Sequence, residues 1–156
     1  MSTHPNVQRV ADALAAAGAT GEIRILDEAA PTAAAAAAQL GCEVGAIANS
    51  LIFDGDGTPV LILTSGAHRV DTAKLAAELG LTKLKRATPD FVKQHTGQAI
   101  GGVAPVGHPA PVRTLVDTTL DQYDVAWAAA GIPHSVFPTS YDELLRLTNG
   151  TPVVVN

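Results

Sequence analysis

The most unusual stretch of the chain reads Thr96-Gly-Gln-Ala-Ile-Gly-Gly-Val-Ala-Pro-Val-Gly107. The glycine pair Gly101 and Gly102 carries no Cβ, so a ligand can come close to its N–H and C=O groups. Pro105 stiffens the segment without adding an N–H. A loop of this kind can grip a carbonyl, an amine or an oxyanion with main-chain dipoles. The same composition also serves a tight structural turn between strands, and the loop alone leaves both readings open.

Other familiar chemistry is missing. The sequence holds no HExxH, no Walker loop and no GxSxG, and Cys42 has no histidine beside it in sequence. None of His4, His68, His95, His108 and His134 lies at metal-ligand spacing from another, so no metal site is expected. His134 stands between Pro133 and an apolar segment, where a side chain can face a pocket mouth. Asp54 and Asp56 lack the remaining ligands of a calcium loop and read as hairpin-turn residues.

The elements that must position these residues follow from periodicity and caps. Val7, Val10, Ala11 and Leu14 have helical spacing over residues 5–17, closed by Gly18. Thr32 and Gly41 bracket a helix over 33–40, Asp71 and Gly80 one through Leu79, and Thr88 and Gly97 another opened by Pro89. Ser140 and Glu143 form a capping box for a last helix reaching Leu147. Strands are expected at 23–26, 46–53, 60–64, 113–116, 125–128 and 135–137, with an edge strand at 152–155. The mixture is irregular rather than strictly βαβ. It predicts one α+β domain over 1–156, a mixed, mostly antiparallel sheet flanked by helices.

Composition narrows the partners. The chain has 156 residues and a formal charge of −5, which argues against coating long nucleic acid. Six basic residues between Arg69 and Lys93 face three acids, so that segment carries +3 and the remainder −8. A basic island on an acidic protein suits local contact with an anion, and equally an ordinary solvated helix face. One cysteine excludes an intrachain disulfide. Neither a secretory h-region nor an apolar run of spanning length is visible, which predicts a cytoplasmic protein with no membrane partner.

Taken in order, several blocks resemble the YbaK/ProX family of freestanding prolyl-tRNA-editing domains. They are Ile47-Ala-Asn-Ser-Leu-Ile-Phe53, Leu61-Ile-Leu-Thr-Ser-Gly66, the helix over 70–79, the Thr96-Gly…Gly-Gly-Val-Ala-Pro-Val-Gly107 loop and Ala128-Ala-Ala-Gly131. The resemblance covers about residues 20–150 and is most specific at the loop. It implies hydrolysis of the ester joining a wrong amino acid to tRNA, most often alanine or cysteine on tRNA for proline. Such a second hydrolytic site is needed because an apolar synthetic pocket cannot strongly reject a smaller or isosteric side chain. It further implies no cofactor, and catalysis by the substrate and a held water rather than by a protein nucleophile.

The resemblance also assigns residues. Gly101 and Gly102, with Val103 and Pro105, would cradle the aminoacyl group. Ser50, Thr64, Ser65 and Gly66 would line the pocket. Ala128, Ala129 and Gly131 would keep one wall small, and His134 would orient the substrate. Arg69, Lys74, Lys83, Lys85 and Arg86 would hold phosphates of the tRNA acceptor end. An aminoacyl-tRNA synthetase would be a further partner. The family pattern carries lysine in a K-(S/T)-L strand where this chain has Asn49, which can hydrogen-bond but supplies no cation. That substitution favours one rival, a relative that binds RNA, an amino acid or a protein without hydrolysis. A small-molecule ester or amide hydrolase on the same fold is a third reading.

Overall fold

The computed structural model describes residues 4–28 and 32–156. Side chains that the sequence places at helix ends act as caps there. His4 Nδ1 accepts the Asn6 N–H at the start of α1 (Pro5–Ala16). The Thr32 hydroxyl caps α2 (Ala33–Leu40), Asp71 caps α3 (Thr72–Leu79), and Thr88 caps α4 (Pro89–Thr96). Ser140 caps α5 (Tyr141–Thr148). Gly41, Gly80 and Gly97 end their helices in the left-handed conformation that lacks a Cβ penalty in glycine, and Asn149 does so for α5. The capping box is only half made. Glu143 N–H reaches the Ser140 hydroxyl, while the Glu143 carboxylate accepts the Thr139 hydroxyl instead of the cap N–H.

Eight strands form one mixed sheet: β1 (Arg24–Ile25), β2 (Ile47–Gly55), β3 (Thr58–Ser65), β4 (Leu84–Arg86), β5 (Arg113–Asp117), β6 (Ala126–Ala129), β7 (Ser135–Thr139) and β8 (Thr151–Val153). Their order is β1-β7-β6-β2-β3-β5-β8, with β4 also on β2. Four ladders are antiparallel and three parallel, so the expected α+β class with a mixed sheet holds. The tail strand sits at an edge, on β5. Asp56 and Gly57, both at positive φ, turn the β2–β3 hairpin. Asp54 accepts the Gly57 N–H, and Asp56 accepts the N–H groups of Thr82 and Lys83, so both acids serve the turn.

Two features differ from the sequence expectation. The 99–107 loop joins α4 to β5 rather than one strand to another. β4 was not expected, because Leu84-Lys-Arg86 offers one apolar residue and no alternation long enough to read.

Helices cover both faces of the sheet, as alternation along β2 and β3 requires. On one face Ala48, Ile52, Leu61, Leu63 and Val116 pack with Val10 and Leu14 of α1, Val92 of α4, Leu144 of α5, and Val103 and Ala104 of the glycine loop. We call this the loop face. The opposite face holds two separate clusters. Phe53, Val60, Ile62 and Leu115 pack under α3, and Ile47 packs under Ala36 and Ala37 of α2.

Candidate active site

The centre of the sheet contains an interruption. β6 pairs with β2 only at Ile47 and Ala48, and β4 pairs with it only from Phe53 to Gly55. One further bond, Ala87 N–H to Ile52 C=O at 3.4 Å, extends the β4 side. Asn49, Ser50 and Leu51 therefore have no strand partner on the β6/β4 side of β2, and we call this gap in the pairing the slot. From Ala48 to Ile52 an extended strand rises about 13 Å.

Backbone groups alternate sides along a strand. Ile47 C=O points to β3, where it accepts the Gly66 N–H, and Ile52 C=O points the other way to Ala87. Ser50, in phase with Ile52, thus directs both its N–H and its C=O into the slot. Its side chain lies on the loop face, opposite Leu63. Among the described residues the buried side-chain polar atoms without a hydrogen-bond partner are Ser50 Oγ and Thr64 Oγ1. Thr64 is 1% exposed and sits directly opposite Asn49. It therefore projects with Asn49 to the α2/α3 face.

The glycine loop is held by its own flanks. Gln98 is fully buried, accepts the Ala104 N–H at 2.7 Å and donates to Val106 C=O at 3.3 Å. Thr96 Oγ1 donates towards Val92 C=O and Gln98 C=O and accepts the Gln98 N–H. His108 Nε2 lies 2.8 Å from Ala104 C=O. A carbonyl only accepts, so this nitrogen carries the hydrogen. Burial lowers the His108 pKa, and the bond to Ala104 partly offsets that.

The far end of the loop meets the turn after β6. A Cβ on Gly102 would stand 2.7 Å from the Ile132 backbone, whereas one on Gly101 would meet nothing within 4 Å. Gly131, at φ +111°, brings that turn against Asn6, whose side chain donates to Gly131 C=O. Ser135 Oγ bonds both backbone groups of Ile132. Gly101, Gly102 and Gly131 are thus gathered at one end of the molecule, while Val103, Ala128 and Ala130 line the loop face. His134 is half-buried in the same turn, with its C=O accepting the Leu26 N–H.

Other residues singled out in the sequence are placed differently. Asn49 is exposed on the α2/α3 face and borders the slot, so its carboxamide and the glycine loop lie on opposite sides of the sheet. Ala129 is half-buried beside it on β6. Ser65 is fully buried, and its hydroxyl donates to Gly45 C=O. Gly66 packs on Val44 and Ala33. Pro105 lines a cleft of about 360 Å³ shared with α1, α5 and residues 106–112. That cleft includes none of the other candidates.

Of the basic island, Arg69, Lys83, Lys85, Arg86 and Lys93 are exposed and Lys74 is half-buried. Lys74 donates to Val154 C=O and Asn156 C=O, and Lys85 lies 3.9 Å from Asp54. No group of three or more metal-ligating side chains occurs among the described residues.

Two residues escaped the sequence reading. Gln98 frames the glycine loop, and the only sequence signal was an amide in an otherwise small and apolar segment. Asp117, 1% exposed, accepts Ser65 N–H at 3.0 Å, Thr119 N–H at 3.0 Å and His68 Nδ1 at 2.9 Å. A single acid after Leu115-Val116 gave no hint of that convergence, since His68 is 49 positions away.

Comparison with known proteins agrees with this architecture. Residues 27–147 match the aminoacyl-tRNA editing domain, and the chain belongs to that family. A solved structure described as a candidate trans-editing enzyme for prolyl tRNA synthetase superposes with TM-score 0.93 at 38% identity, covering 99% of each chain. The uncharacterized protein YwhH of Bacillus subtilis is 32% identical over 110 residues, 70% of this chain and 69% of YwhH. The proline–tRNA ligase of Nitratidesulfovibrio vulgaris is 35% identical over 88 residues, 56% of this chain. The chain spans only about 15% of that ligase's length. Among the described residues no helix is long and apolar enough to cross a membrane.

Proposed function

We propose that this protein is a trans-editing deacylase, which hydrolyses the ester of mischarged aminoacyl-tRNA such as alanyl- or cysteinyl-tRNA for proline. Water adds to the ester carbonyl carbon, the bond from that carbon to the ribose oxygen breaks, and the ribose oxygen takes a proton. The products are a free amino acid and tRNA with its terminal hydroxyl restored.

The observation that carries this reading is the slot beside Ser50 in a chain of the editing-domain family. It offers main-chain donors and acceptors, and its hydroxyl, Ser50 Oγ, has no hydrogen-bonded base to activate it, which suits positioning and electrostatic stabilisation around a bound ester. This reading assigns Gly101 and Gly102 to the entrance, and Ala128 and Gly131 to the wall that limits the space for a side chain. Arg69, Lys83, Lys85 and Arg86 are exposed cations that this reading assigns to phosphates of the acceptor end.

The test is release of labelled amino acid from alanyl-, cysteinyl- and seryl-tRNA for proline, by the natural protein and by Asn49→Lys. Turnover by the natural protein supports the deacylase. Turnover only after Asn49→Lys replaces it with a second reading, a binding module. That reading is favoured by the uncharged Asn49, exposed where the family pattern has lysine.

A further inference from the structure

We infer that the aminoacyl group is bound in the slot as a one-residue strand, paired with the main chain of Ser50; this rests on the deacylase reading. In an antiparallel hydrogen-bonded pair, two facing residues exchange both N–H···O=C bonds. An aminoacyl ester carries an amine and a carbonyl on one Cα, the same arrangement as a strand residue. Its α-ammonium donates to Ser50 C=O, and its ester carbonyl accepts the Ser50 N–H. β4 and the Ala87 bond end at Ile52, and β6 ends its pairing at Ala48, so neither neighbouring strand occupies these two groups.

Three consequences follow from this pairing. The Ser50 N–H sits where negative charge develops on the ester oxygen as water adds. Directly paired residues project side chains to the same face. The substrate side chain therefore points with the Ser50 side chain to the loop face, where Ala128, Ala130, Val103 and Ala104 present small groups. There it meets Ser50 Oγ, a buried hydroxyl with no partner in the protein. Buried polar groups are nearly always bonded, so this atom marks a place where something else comes to rest.

The experiment uses the full ¹⁵N-labelled chain and a nonhydrolysable probe, adenosine carrying alanine through a 3′-amide. Amide hydrogen exchange is followed at Ser50 and at Gly101, Gly102 and Val103. The expected result is a Ser50 N–H that exchanges readily in the free protein and slows by about tenfold or more at saturation. Acetylating the probe's α-amine should weaken binding by about tenfold, the loss of one charge-assisted bond. Ser50→Ala keeps the main chain and should retain the protected amide.

A bound probe that leaves the Ser50 amide unchanged overturns the inference, as does loss of that protection in a folded Ser50→Ala protein. Failure of the probe to bind also overturns it. Aminoacyl-tRNA turnover measured on the same sample separates these outcomes from failure of the deacylase reading. Turnover with an unperturbed Ser50 amide sinks the pairing alone, and absence of turnover on every tRNA tested sinks the activity.

Discussion

The side-chain oxygen of Gln98 accepts the main-chain N–H of Ala104 at 2.7 Å, and both residues are fully buried. The carboxamide thereby takes the part of a neighbouring strand and holds the second half of the glycine loop. Gln98→Met keeps the volume but strands the Ala104 N–H and the Val106 C=O. The expected cost is about 2–4 kcal/mol, because a buried polar group left unpaired forfeits its desolvation free energy. Gln98→Glu keeps an acceptor for Ala104 but buries a carboxyl group with no cation beside it and loses the donor to Val106, so it should lose at least as much. Urea unfolding of the two variants checks the ranking, and deacylation kinetics should follow the same order.

Gly102 and Gly101 should respond differently to alanine, although they are neighbours. At Gly102 a Cβ meets the Ile132 backbone at 2.7 Å, and a backbone cannot rotate away as a side chain can. Gly102→Ala is expected to cost about 1–3 kcal/mol as overpacking. Gly101 has open space, and its penalty comes from φ +88° alone, about 1–2 kcal/mol. Comparing unfolding midpoints with crystal structures of both variants separates the causes: only Gly102→Ala should displace the 131–133 turn.

The contrast between these loop residues and the site as a whole shows what was legible in sequence. Caps were readable because they are local: Thr32, Asp71, Thr88 and Ser140 each bond an N–H three residues on. The Asp56-Gly57 turn was readable for the same reason. Glycine pairing drew attention to the loop, and motif order drew attention to the family. The slot was not legible, because it arises where two strands from distant parts of the chain both stop short on β2. Nor was the side of the sheet on which Asn49 falls relative to the loop. A one-residue phase along β2 decides whether Asn49 or Ser50 faces the loop, and motif spacing carries no such information.

Asp117 should be a costly residue to remove. It is 1% exposed, and its two oxygens serve Ser65 N–H, Thr119 N–H and His68 Nδ1. Asp117→Ala leaves one buried and one half-buried amide unpaired and should destabilise by about 2–4 kcal/mol. His68 is 20% exposed, so His68→Ala should cost only about 1 kcal/mol after screening by solvent. A double-mutant cycle measured by urea unfolding should show a coupling of about 1 kcal/mol between the pair. Additive losses would mean that Asp117 works only through the two amides.

His108 gives the fold a pH dependence of definite sign. Burial lowers its pKa from 6.5, so the folded protein holds it neutral at a pH where the unfolded chain has taken up a proton. Unfolding then binds protons, and stability rises with pH through that window. The contribution is fully present above about pH 6.5 and falls as the pH drops from there towards the lower folded value. Urea unfolding of the natural protein and His108→Gln between about pH 5 and pH 8 should give curves that diverge on the acid side. Parallel curves across the whole range would remove His108 from the account.

Thr64 offers the sharpest separation of stability from function. Its hydroxyl is buried without a partner, next to Leu63 on an apolar strand and directly opposite Asn49. Val has nearly the same shape and an equal preference for strands, and it adds no polar atom. Thr64→Val should therefore stabilise the protein by about 1 kcal/mol, since it removes a desolvated hydroxyl at almost no packing cost. A position kept for packing would gain stability and keep activity. A position that lends its hydroxyl to a bound substrate or water would gain stability and lose turnover, and Thr64→Ser should restore that turnover. We expect the second pattern, a higher unfolding midpoint with slower deacylation. A stabilised variant with unchanged kcat/KM on every aminoacyl-tRNA tested would take Thr64 out of the site and leave the slot beside Ser50 to account for recognition alone.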